Sequence, residues 1–131
     1  MTAKINLPTS VQALAQAEAQ SMIDEVSGVT AVVVATVDGF DVVSVITGSA
    51  EAARIAAMAS SISAISSVVS QEAQLGRNKS VIIDTEAGFA LVYSVHRQDA
   101  ELVINVIANS NAILAQVIYR TAQFARTLTA A

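Results

Sequence analysis

Seventeen consecutive residues, Ile55 to Gln71 (IAAMASSISAISSVVSQ), carry no charge, yet six of them are serine. A run of this length between strand-like segments reads as a helix. A helix with one solvated face ordinarily shows Lys and Glu along its outer stripe, whereas this one is small or apolar all round. Ala and Ser faces let neighbouring backbones approach closely. The run therefore predicts a helix sandwiched between two surfaces, one of them belonging to a protein partner.

At 131 residues the chain has room for one core, and 1–131 reads as a single domain with an ordered core over about 10–128. The first eight residues and those after Leu128 read as loose. The hydrophobic fraction is 53% and mean hydropathy +0.57, with 4% aromatics, so Ala, Val and Ile supply the apolar area and part of it belongs in an interface. Net charge −4, with seven dispersed Lys and Arg, offers no field for nucleic acid or an anionic membrane. The absence of cysteine excludes disulfides and thiolate metal sites, and the lone His96 cannot build a histidine cluster. No cofactor or metal is expected. MTAKINLPTS lacks the apolar stretch of a signal peptide, which points to the cytoplasm, and the longest uncharged runs hold too many serines or β-branched residues to read as membrane spans.

Thr9 with Gln12 has the form of a capping box, and Val11, Leu14, Met22 and Val26 recur at helical spacing until Gly28, predicting a helix over about Ser10 to Ser27. VTAVVVATV and FDVVSVIT read as strands joined by an Asp38-Gly39 hairpin turn. Gly48 and Ser49 open a long helix, with Glu51 near its positive end, that runs to about Leu75 before Gly76. KSVIIDT, FALVYSVH and LVINVIA follow as strands with short joints. Asn109-Ser110-Asn111 offers caps for a last helix with Leu114, Val117, Ile118, Thr121, Ala125 and Leu128 inward and Gln116, Arg120 and Gln123 outward. VTAVVVATV and LVINVIA are apolar on both faces, as central strands are, while SVIIDT, flanked by Lys79 and Asp84, reads as an edge. Ile82 there points away from the face that takes Val81 and Ile83, and suits edge pairing with a second copy.

The order α-β-β-α-β-β-β-α, with GVTAVVVATVDGF, EAARIAAMASSISAISSVV and SVIIDTEAGFALVYSV, resembles the Roadblock/dynein light chain family over about Ser10 to Leu128. Its compact bacterial form, which regulates the Ras-like GTPase of gliding motility, is the more similar branch. The resemblance implies an α+β, profilin-like sandwich: a five-stranded antiparallel sheet, the two terminal helices on one face and the long central helix on the other. It also implies a homodimer in which the edge strand before Asp84 and the long helices meet across a two-fold. Family members bind small Ras-like GTPases, and some bacterial ones accelerate GTP hydrolysis as platforms with no active site of their own.

On the long helix, Ala53, Ala56, Ser60, Ser63, Ser67, Ser70 and Gln74 form an outer small-residue stripe, opposed to a core stripe of Ile55, Ala59, Ile62 and Val69. A third flank holds Arg54, Met58, Ser61, Ile65, Val68 and Glu72. The flank and the serine stripe read as shared between a dimer seam and a GTPase surface, with Met58 as an adaptable contact; the plain alternative is that the stripe is merely solvated and the flank packs on the sheet. Asp38-Gly39-Phe40 and Glu86-Ala87-Gly88-Phe89 read as structural turns. His96 beside Arg97, Asp99 and Glu101 has a carboxylate neighbour but no nucleophile or oxyanion motif, and reads as a loop histidine. Asn105 is the odd polar residue of an apolar strand, a buried hydrogen-bonding group or a contact to a covering helix.

No GxxxxGK[ST] sequence is present, so the chain is not itself a P-loop GTPase. The expected function is a homodimeric cytoplasmic regulator or scaffold that binds a small Ras-like GTPase in its GTP state, two protomers serving one GTPase. Hydrolysis would be stimulated by fixing the switch loops, in preference to inserting Arg54 or Arg77 as a finger. Two other readings compete: a dimeric adaptor without nucleotide preference, and a monomeric small-molecule sensor with a pocket under the long helix.

Overall fold

The computed structural model describes residues 7–131, so the expectation of a loose start lies, for 1–6, outside the described residues. The elements are α1 (Thr9–Glu25), β1 (Val29–Thr36), β2 (Asp41–Ile46), α2 (Ala52–Glu72), β3 (Ser80–Thr85), β4 (Gly88–His96), β5 (Glu101–Asn109) and α3 (Leu114–Ala130). They occur in the predicted order. The strands form one antiparallel sheet in the order β2-β1-β5-β4-β3. β1 and β5, apolar on both faces, pair at its centre, and SVIIDT is at an edge.

Side-chain alternation divides the core in two. Val32, Val34, Leu91, Leu102, Ile104 and Val106 face Met22 of α1 and Val117, Phe124 and Leu128 of α3. Ala31, Val33, Ala35, Val92 and Val103 face Ile55, Ala56 and Ala59 of α2. The terminal helices thus cover one face and α2 the other, as the resemblance implies. Asn105, 4% exposed, is the buried hydrogen-bonding group: its Nδ2 donates to the Val33 carbonyl at 3.1 Å. Gly88 starts β4 at φ +151, where an added Cβ would lie 2.0 Å from the Ala108 carbonyl oxygen. No other residue fits that close approach.

The element ends depart from expectation. Thr9 and Gln12 form no capping box, because the chain turns into the helix at Pro8; Gln12 Nε2 instead donates to the Leu7 carbonyl at 2.9 Å, and Leu7 is buried. α2 begins after Glu51 and ends at Glu72, three residues inside the ends predicted at Gly48-Ser49 and Leu75, with Gln74 in the left-handed region at φ +57. α3 is not capped by Asn109-Ser110-Asn111: Asn109 Oδ1 accepts from the Asn111 N–H at 3.0 Å, which closes a turn before the helix begins after Ile113. Phe124, missing from the expected inward stripe, is fully buried. Arg120, expected outward, pairs with Glu18 of α1 at 3.0 Å. The end of the chain is held as well. α3 continues to Ala130, and Arg97 Nη1 donates to the carbonyls of Leu128 and Ala131, the latter at 3.1 Å.

Candidate functional site

Ile55, Ala56 and Ala59 are the buried residues of α2, all before its midpoint; Ile62 packs half-buried against the same cluster, and the second half buries no residue. This changes the predicted phase of the helix. Ala56, placed on the outer stripe, is fully buried, and Ser60 is half-buried with its hydroxyl donating to the Val37 carbonyl at 2.7 Å. Ser63 and Ser70 are half-buried too, while Ala53, Ser67 and Gln74 are exposed. Val69, placed in the core stripe, is 55% exposed.

The residues of the third flank share one exposed side of α2. Arg54, Met58, Ser61, Ile65, Val68 and Glu72 are all exposed, Ile65 at 66%, Val68 at 58% and Met58 at 52%. On the sheet side, Ile62, Ile65 and Val69 form one wall of an open apolar groove whose other wall is Val81 and Ile83 of β3. By length and composition α2 would also suit a membrane span, against the expectation drawn from its serines; its buried face lies on the sheet.

The groove ends at an unpaired strand. The Lys79 carbonyl accepts from the Ser94 N–H at 2.9 Å, so by antiparallel alternation Lys79, Val81 and Ile83 direct their backbone groups at β4. Ser80, Ile82 and Asp84 then present N–H and C=O groups at the free edge. Val81 packs beneath α2, and Ile82, 42% exposed, points to the opposite face as predicted.

The remaining motifs behave as structure. Thr36 N–H donates to the Phe40 carbonyl at 2.8 Å, and Gly39, at φ +98, donates to the Thr36 carbonyl at 3.0 Å. That turn also rests on α2: an added Cβ on Gly39 would stand 3.3 Å from Ser60 Cβ, a contact unreadable from the sequence. Glu86-Ala87 connects β3 to β4. His96 Nδ1 lies 3.3 Å from Glu101, and no cluster of three metal-ligating side chains occurs among the described residues. The Arg97 guanidinium, hydrogen-bonded to Asp99, holds that carboxyl below its ordinary range and is itself raised. Arg54, 3.9 Å from Glu51, sits at the opposite end of α2 from Arg77, so the two arginines are not brought together.

The model of the Roadblock/LC7 domain family matches residues 15–109. Among solved structures, an MglB with a tetrameric arrangement is similar at TM-score 0.85 and 12% identity, over 98% of this chain and 95% of that one. The gliding protein MglB of Thermus thermophilus is similar at TM-score 0.85 and 10% identity, over 98% and 96%. A Roadblock/LC7 domain from Streptomyces avermitilis gives 0.78 and 17%, over 86% and 92%. At these identities the likeness is one of fold. No curated protein sequence is significantly similar to the chain.

Proposed function

The chain belongs to the Roadblock/LC7 domain family, and on that premise we propose that it is a homodimeric cytoplasmic platform that binds a small Ras-like GTPase in its GTP state. The observation that carries this reading is the exposed apolar flank of α2, continuous through the Ile62–Val69 groove with the free edge of β3. Side chains such as Ile65 and Val68 gain by leaving water, and an unpaired edge gains by adding a strand. A second copy supplies both. Two β3 edges paired about Ile82 set Ser80 opposite the partner's Asp84, and the two α2 helices then lie on the same side of a continuous sheet.

The GTPase half of the proposal rests on the family resemblance and the MglB-like fold. The exposed outer surface of α2, with Met58, Ser61 and Ser67, is the surface it assigns to that partner. Binding there stimulates hydrolysis only by shifting the GTPase's switch loops towards their catalytic arrangement, since the platform contributes no reacting group. The sensor reading is less well supported: the space under the first half of α2 is filled by Ile55, Ala56 and Ala59 against the sheet.

Calorimetric titration against a Ras-like GTPase of the same genome, loaded with GTP analogue or GDP, tests the proposal. Tighter binding of the GTP form is expected, and equal binding of both forms would leave an adaptor without nucleotide preference. No binding would overturn the GTPase assignment.

A further inference from the structure

The chain has five arginines, and three are ion-paired: Arg54 with Glu51, Arg97 with Asp99 and Arg120 with Glu18. Arg77 and Arg126 make no ion pair among the described residues, and both line one cleft of about 430 Å³. Arg77 comes from the loop between α2 and β3, Arg126 from the last turns of α3, and β4 closes the space between them. Tyr93, on the α3 face of β4, and Thr129, whose hydroxyl donates to the Ala125 carbonyl at 2.9 Å, line it together with Ser94 and alanines of α3. The cleft exists because β3 starts only at Ser80, opposite Tyr93, leaving the end of β4 without a neighbour on that side. His96 is on that stretch. In the alternation that gives the Ser94 N–H to Lys79, its backbone N–H is the next one directed towards the vacant strand position.

We propose that this cleft binds the phosphate group of a small phosphorylated molecule, with Arg77 and Arg126 as its two clamps. Guanidinium forks match phosphate oxygens in bidentate geometry, and the Tyr93 hydroxyl adds a donor on the same side of the sheet. Two carboxylates stand nearby and neither takes up an arginine of the pair. Glu101 is engaged by His96 Nδ1 at 3.3 Å, and Glu18, which shares a shallow groove with the other side of Arg126, is engaged by Arg120 at 3.0 Å. In a chain of net charge −4, the two unpaired arginines converge on one concavity instead of being spread over the surface. An anion held by both would also tie the loop that leads into β3 to α3.

The test is titration of the isotopically labelled full chain with inorganic phosphate, then with a nucleoside 5′-monophosphate, followed by amide chemical shifts at constant ionic strength. Saturable shifts are expected at Ser94, His96, Arg126 and Thr129, with affinity falling at least about tenfold in Arg77→Gln and in Arg126→Gln. Both arginines are exposed, and the same spectra report that the variants remain folded. Equal affinity for the two probes identifies the free anion as sufficient, and tighter binding of the ester identifies a phosphorylated metabolite; either supports the site. Absence of saturation, shifts unchanged in both variants, or equal shifts with acetate would overturn it.

Discussion

Ile65 concentrates the argument at the scale of one residue. It is apolar, mid-helix and two-thirds exposed, so burial in the monomer does not explain it. Ile65→Asp should leave the circular dichroism spectrum intact and abolish self-association in sedimentation; an unfolded variant would return Ile65 to the monomer core. Ser60 shows the opposite case, a residue read as interface that spends its hydroxyl on its own chain. Ser60→Ala should cost about 1 kcal/mol in urea unfolding by freeing the Val37 carbonyl. The Arg97–Asp99 pair gives a pH signature. The folded-state pKa of Asp99 lies below its ordinary value of 3.8, so the pair's contribution is complete above that value and is lost as pH falls through the folded pKa. The Tm difference between the chain and Asp99→Asn should be largest near neutrality and vanish in acid.

Elements differ in how far their sequences disclosed them. Their existence and order were legible because period-two and period-3.6 patterns alternate cleanly along the chain, broken by Asp38-Gly39, Gly28 and Gly88. The phase of α2 was not. A helix takes its rotational setting from the contrast between charged and apolar sides, and with Ala, Ser, Val and Ile on every side Ala56 and Val69 exchanged places relative to expectation. α3, with glutamine and arginine along one side, shows its phase in the sequence, although Phe124 adds to the buried stripe. Caps failed for local reasons: Pro8 takes the N-cap position and puts Thr9 inside α1, and Asn109 closes a turn with the Asn111 N–H. β3 is the element on which the proposed dimer depends. Ile82→Lys places a charge at the proposed pairing centre, and should raise the dimer dissociation constant at least about tenfold, by analytical ultracentrifugation, while the hairpin with β4 persists.

Over the whole molecule, the sheet is finished on both faces near its centre and unfinished at one side. α1 and α3 close one face, α2 closes part of the other, and the apolar surface that remains runs from the second half of α2 to the edge of β3. The candidate flank was readable because it needed only the presence of apolar residues at helical spacing. The groove beside it was not, because it depends on where along α2 burial against the sheet ends. A two-fold that joins β3 edges covers that surface and leaves the outer side of α2 for another protein. Mass by light scattering at micromolar concentration tests this claim most directly. The account predicts twice the chain mass of 13.5 kDa; a monomer would contradict it.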